Sequence, residues 1–293
     1  MSVTVAPDPT DVRRLIREGW EEVAAEYARD RLGIFERYGG RLLELLRPSP
    51  GDRLLDVGTG TGLVALRAVA WVGRSATVTG TDFAAPMVTL ATQAAKEQDA
   101  DGVTFCQMDA EQLDFPDASF DAVTCAFALF QFPDMIGALA EMQRVLKPGG
   151  RLGLSNWGPG YFSPIASLQR DLFKEYRLRP LLTNPIAFRP DELQAMLCAA
   201  GFVAVELIQE ADEVWFASPE EVWAFNLDMG PFPVMLRRQL KDDEQRELQQ
   251  RFTSTLHSLV TDRGIRCTFH PLYALARKGG GRQRRTRKAS PKA

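Results

Sequence analysis

The sequence predicts an α/β protein: a doubly wound, mostly parallel sheet of seven strands with a mainly helical cap built from insertions. Three observations predict it. From Asp52 onward, short β-like runs alternate with helical stretches, as in βαβ units whose sheet is covered on both faces. Residues 54–62, LLDVGTGTG, set three glycines at alternate positions straight after an apolar run that ends in an acid. Such alternation suits a backbone that bends sharply and lies close to something large. Carboxylates then close three successive strands, at Asp56, Asp82 and Asp109.

Taken in order, MSVTVAPDPTD reads as a short flexible leader. RLLDVG is the first strand, GLVALRAVAWVG a helix apolar all round, ATVTGTD the second strand and APMVTLATQAAKEQ the second helix. VTFCQMD and FDAVTCAF supply strands three and four. MIGALAEMQRVL is an amphipathic helix stopped by KPGG, after which RLGLSNW resumes strand character. Regularity lapses after Trp157, where Pro and aromatic residues predict an irregular or helical insertion. RPDELQAMLCAAGF reads as a helix with Pro at its entrance and Gly201 at its exit. FVAVELI is a further strand, residues from about 216 to 262 read as two or three helices, and IRCTFHPLYALAR closes the chain as a strand or hairpin. The expected organisation is one domain over 1–277, with a cofactor-binding core at 40–157 and cap insertions at about 158–189 and 213–262. Residues 278–293 are expected to be a disordered basic tail.

Composition sets further bounds. At 45% hydrophobic and 25% charged, the chain has ample apolar material for a core. No apolar stretch reaches the roughly 18 residues of a membrane span, and no secretory signal opens the sequence. Cys106, Cys125, Cys198 and Cys267 are scattered, with no pair at metal-ligand spacing. They read as buried thiols in a reducing compartment, so a cytoplasmic protein without a metal is expected. Residues 281–293 carry six Lys or Arg and no acid. The rest of the chain has 29 basic residues against 38 acidic ones, a net charge near −9. An acidic body argues against a nucleic-acid groove.

The glycine spacing discriminates among ligands. A dinucleotide fingerprint needs glycine at position 63, where this chain has Leu63, and no Gly-Lys-Ser/Thr of a phosphate-binding loop is present. An acid beside the turn repels phosphate and suits an ammonium group. Asp82, about twenty residues after the glycines, stands where a carboxylate accepts ribose hydroxyls.

LLDVGTGTG, VTGTDFAAPMV, MDAEQLDFPDASFD and RVLKPGGRL, in this order and spacing, resemble the class I S-adenosylmethionine-dependent methyltransferases. The resemblance is closest to the branch with the ubiquinone and menaquinone C-methylases, and it covers about residues 40–157. It implies that the turn from Asp56 through Gly58, Gly60 and Gly62 would cradle the methionine part of S-adenosylmethionine, with Asp56 helping to hold its amino group, usually through water. Asp82 would take the ribose, Phe83 and Met87 would pack on adenine, and Asp109 and the Ala110 backbone would meet the adenine edge. Phe127 would border the transferred methyl group. Trp20 and Tyr27 resemble the family's leading helix, whose aromatic closes over the cofactor.

The run after strand four, AFALFQFPD, lacks the Asn-Pro-Pro-aromatic signature of adenine methylation, and no Pro-Cys nucleophile is present. A small apolar or aromatic metabolite is therefore the expected substrate, methylated on oxygen or carbon, with Trp157, Tyr161, Phe162 and Trp223 as candidate pocket walls. His257 and His270, the two histidines, are the candidate bases; neither lies in a motif, and oligomeric state stays open. Two rival readings are a nicotinamide-dependent oxidoreductase, opposed by Leu63, and a non-catalytic cofactor-binding module.

Overall fold

A computed structural model describes residues 9–29, 32–73, 77–179, 184–228 and 230–280. The expected leader up to residue 8 and the basic tail from 281 lie outside the described residues. Helix α1 (Pro9–Tyr27) begins on a proline, whose missing N–H costs nothing at a helix start, and α2 (Ile34–Leu46) follows. The alternating units are β1 (Leu54–Val57), α3 (Leu63–Val72), β2 (Val78–Asp82), α4 (Ala85–Glu97), β3 (Val103–Gln107) and β4 (Phe120–Ala126). After a 3₁₀ turn at Leu129–Gln131 come α5 (Met135–Val145) and β5 (Leu146–Trp157). Asp134 caps α5 by accepting from the Gly137 N–H at 2.8 Å.

The remaining elements are α6 (Ile165–Glu175), α7 (Pro190–Ala199), β6 (Phe202–Gln209), β7 (Asp212–Phe216), α8 (Pro219–Asp228), α9 (Phe232–Gln239), α10 (Asp242–Leu256), β8 (Ile265–Phe269) and β9 (Pro271–Lys278).

The main sheet has seven strands in the order β3-β2-β1-β4-β5-β9-β6. Strands β1 to β5 run parallel, and β9 lies antiparallel to both β5 and β6. All four residues of β1 are buried, as a strand covered on both faces requires. Strand order reverses between β1 and β4, so the crevice beyond their carboxyl ends is where this architecture receives a ligand.

Several expectations need correction. KPGG does not separate α5 from the next strand. Phe120 pairs with Leu146 before the register shifts to Ala122 with Arg151, so these residues form an irregularity inside β5. IRCTFHPLYALAR is not a hairpin: β8 pairs with β7 in a separate two-stranded sheet, while β9 enters the main sheet. Residues 9–11 of the expected leader begin α1. Lys278, assigned to the tail, completes β9 and donates to the Arg144 carbonyl at 3.0 Å. Only Cys125 and Cys267 are buried; Cys106 is half-buried and Cys198 exposed, and all four are free.

The cap is mainly helical with an aromatic centre. Phe162 packs against Phe216, Phe225 and Phe269 with ring centroids 5.2–6.2 Å apart, and Trp223 packs against Phe232 and Phe252. Edge-to-face and tilted rings at these separations add to the area that they bury. The same hydrophobic cluster reaches Leu139 on α5 and Leu154 on the sheet.

Candidate functional site

A cleft opens at the carboxyl ends of β1, β2 and β4 and beside the loop after β3, with α1 along its outer side. Its non-atom space, open mouth included, is about 680 Å³.

The three glycines of the turn do different work. Gly60 has φ +55, and a Cβ there would project into the cleft, meeting within 4 Å only Tyr27 Cε1 at 3.7 Å. That empty space is a cradle that only glycine leaves open. Gly62, with φ +86, points the other way: a Cβ would lie 2.9 Å from the Phe105 ring and 3.1 Å from Ala91. Its glycine serves the packing of α3 on the sheet and does not line the cleft, contrary to the role expected of it. Gly58 lines the cleft but its backbone also abuts Ala128.

The acids separate in the same way. Asp56 is buried and outside the cleft wall; its Oδ2 accepts from Thr59 Oγ1 at 2.6 Å and its Oδ1 from Thr124 Oγ1 at 2.7 Å. It staples the turn to β4 through these two hydroxyls. Burial raises its carboxyl to about 6, although both hydroxyls pull downward. Asp82 does line the cleft. Its Oδ2 accepts from the Gly60 N–H at 2.9 Å and its Oδ1 from the Ala84 N–H at 3.0 Å. Burial raises this carboxyl too, opposed by those backbone bonds. Two amides fix the carboxylate, and each oxygen retains acceptor capacity toward the cleft.

Phe83, Met87, Asp109 and Ala110 line the same space, Met87 from the buried side of the first turn of α4. Asp109 Oδ1 accepts from the Glu111 N–H at 2.9 Å, and Arg13 stands 3.5 Å from Oδ2. Phe127 is held at φ 51 against Trp157, ring centroids 4.4 Å apart, and presents itself to the cleft.

Helix α1 supplies Arg13, Trp20 and Tyr27. Their spacing of seven brings them onto one helical stripe, and all three line the cleft. Trp20 and Tyr27 meet edge to face at 5.1 Å. Sequence reasoning found the two aromatics and missed Arg13, which forms an ion pair with Glu111; counting back seven from Trp20 reaches it. It also missed Glu111 and Gln131, for which no motif exists. Burial raises the Glu111 carboxyl.

The four expected substrate residues are placed elsewhere. Trp157, Tyr161, Phe162 and Trp223 do not line the cleft. Trp157 is 1% exposed among Phe127, Tyr38 and Phe269, while Phe162 and Trp223 belong to the cap centre. Tyr161 stacks on Trp157. The reason is that large rings first fill the cap interior, which leaves no room there for a guest. Neither histidine reaches the cleft. His257 follows the last residue of α10, with Nδ1 2.9 Å from the Thr253 carbonyl, and His270 lies between β8 and β9 beside Gly160.

Comparison with known proteins identifies the chemistry. Residues 55–154 match the family described as a methyltransferase domain. A demethylmenaquinone methyltransferase of Thermus thermophilus is 37% identical over 189 residues, covering 59% of this chain and 84% of the relative. The chain belongs to the methyltransferases. A nocamycin O-methyltransferase of Saccharothrix syringae is 35% identical over 235 residues, covering 72% of this chain and 80% of its own. The YcgJ protein of Bacillus subtilis has a similar fold, with a TM-score of 0.59, 23% identity, and coverage of 83% of this chain and 98% of that one. This methyltransferase takes S-adenosylmethionine as its cofactor, and the relatives lend the nicotinamide reading no support. The cleft suits the cofactor: Gly60 leaves a cradle, a fixed carboxylate faces it from β2, and Phe83 and Met87 offer apolar walls.

Proposed function

We propose that the enzyme methylates a small, apolar or aromatic metabolite on oxygen or carbon. The open cradle at Gly60 beside the doubly anchored carboxylate of Asp82 carries this reading. The relatives named for demethylmenaquinone and nocamycin support the substrate class. In this reading Asp82 accepts from ribose hydroxyls, Phe83 and Met87 flank the adenine, and Asp109 with the Ala110 backbone meets its edge. Gly58 and Gly60 let the backbone approach the amino-acid part, which Phe127 and Tyr27 enclose. S-adenosylmethionine supplies, when bound, a methyl carbon activated by the adjacent positive sulfur.

The protein's own contribution is to hold the two molecules close and keep water out. Trp20 and Tyr27 cover the cleft. No base is assigned: His257 and His270 lie outside the cleft. We place the enzyme in the cytoplasm as one domain over 1–277 extended by Lys278. No helix among the described residues is long and apolar enough to cross a membrane. The acidic body favours a small molecule over nucleic acid as partner.

Methyl-labelled S-adenosylmethionine, offered with metabolites from the host, tests the reading by mass spectrometry. One labelled methyl on an apolar or aromatic metabolite is expected, and fragmentation locates it. Cofactor binding with no labelled product would favour the non-catalytic module.

A further inference from the structure

Gln131 ends the 3₁₀ turn after β4, is 8% exposed and lines the cleft. Its Oε1 accepts from Trp20 Nε1 at 3.3 Å. An indole nitrogen only donates, so chemistry fixes the amide: oxygen toward Trp20, NH2 away from it. Among the described residues nothing accepts a hydrogen bond from Nε2. Nε2 is not among the atoms sealed inside the protein without a partner, so this donor is open at the cleft and free to meet a ligand's acceptor.

The polar groups around the cleft are divided by position. Asp82, Asp109 and Glu111 stand on the β2 and β3 side, where a ligand's own donors find acceptors. On the β4 side Gln131 lies among Phe127, Ala128, Phe132 and Pro133, with the Trp20 ring against it. An amide donor at the edge of an apolar wall fits a flat apolar group that carries an oxygen.

We infer that Gln131 Nε2 donates to an oxygen of the acceptor molecule, with Trp20 as its apolar wall, so that the site selects oxygen-bearing aromatic acceptors over bare hydrocarbons. The inference rests on the proposed acceptor class. A hydrogen bond from a neutral amide stabilises a phenolate or enolate oxygen more than its protonated form, which lowers the acceptor's pKa and favours the nucleophilic state, the proton passing to solvent water before the acceptor is enclosed. Sites built to bond a hydroxyl reject the analogue that lacks it, because their own buried group is left unpaired. Trp20 positions the amide; Gln131 touches the acceptor.

The test uses the full chain loaded with S-adenosylhomocysteine and two probes, α-naphthol and naphthalene. Their affinities are measured for the wild type, Gln131→Glu and Gln131→Leu, together with S-adenosylhomocysteine affinity and Tm. Gln131→Glu keeps an oxygen for Trp20 but replaces the donor with a negative charge, and Gln131→Leu removes the donor without adding charge, so a loss common to both reports the donor. The wild type is expected to prefer α-naphthol by at least about tenfold, the equivalent of one good hydrogen bond. Both variants should lose that preference while S-adenosylhomocysteine affinity and Tm hold. A preference retained in both variants, or none in the wild type, overturns the inference. So does a lost preference accompanied by a fall in Tm and S-adenosylhomocysteine affinity in both variants, which assigns Gln131 a structural role. Failure of the wild type to bind S-adenosylhomocysteine overturns the cleft's assignment and the inference with it; normal binding with an unchanged preference overturns the inference alone.

Discussion

Asp56 and Asp82 share a residue type, a strand-end position and a raised carboxyl, yet their environments give them different tasks. Asp82 keeps acceptor capacity toward the cleft, so Asp82→Ala should weaken S-adenosylmethionine binding at least about tenfold, since bonds to charged groups contribute on the order of 1.5–3 kcal/mol. Calorimetry on the folded variant measures this, and an unchanged Kd would remove Asp82 from the site. Asp56 is spent on Thr59 and Thr124, and its consequence is pH-dependent stability. Its folded value of about 6 lies above the ordinary 3.8, so the folded state holds its proton more tightly than the unfolded chain does. That stabilisation is full below about pH 4 and is lost as pH rises through 6. Over that window it amounts to about 3 kcal/mol, from roughly 1.4 kcal/mol for each pH unit. Urea unfolding at pH 4.5 and 7 should show wild-type stability falling with pH more steeply than that of Asp56→Asn. Equal slopes would mean that Asp56 is not protonated in the folded state.

At the scale of an element, the turn between β1 and α3 combines a binding position with a packing position two residues apart. Gly60→Val should abolish cofactor binding while leaving most of the fold, because its side chain enters the cradle. Gly62→Ala should do the reverse. Its Cβ meets Phe105 and Ala91 and its φ of +86 disfavours any side chain, a combined cost of about 1–3 kcal/mol with little change in Kd. Tm and Kd measured on both variants separate the two roles, and matching losses would show that the turn acts as one unit. The glycine run itself was legible in LLDVGTGTG. Which glycine faced the ligand was not, because the ring of Phe105 is brought behind Gly62 by β3, more than forty residues later in the chain.

For the molecule as a whole, the cap aromatics back the cleft wall through one hydrophobic cluster and do not line the cleft itself, although the sequence suggested that they did. Trp223 packs between Phe232 and Phe252, so Trp223→Ala should lower stability by about 3–5 kcal/mol. Cofactor affinity and the relative rates on large and small acceptors should stay constant in the protein that remains folded. A shifted acceptor ratio with near-normal Tm would return Trp223 to the substrate wall.

The sequence by itself determined the repeating β-strand and helix order, the ligand turn and the acids at strand ends. These are local signals, set by apolar periodicity, glycine spacing and residues that fall within a few positions of one another. The same local pattern carries the resemblance from which the cofactor's class was read. Tertiary structure decided what no local signal carries: that β9 inserts between β5 and β6 while β8 leaves to pair with β7, that Asp56 faces two threonines and Asp82 faces the cleft, and that α1 lays Arg13, Trp20 and Tyr27 over it. Each of these depends on which surfaces meet after distant segments pack. Gln131 shows the limit most plainly, since an unremarked glutamine in AFALFQFPD becomes a directed donor only because an indole 111 residues earlier takes its oxygen.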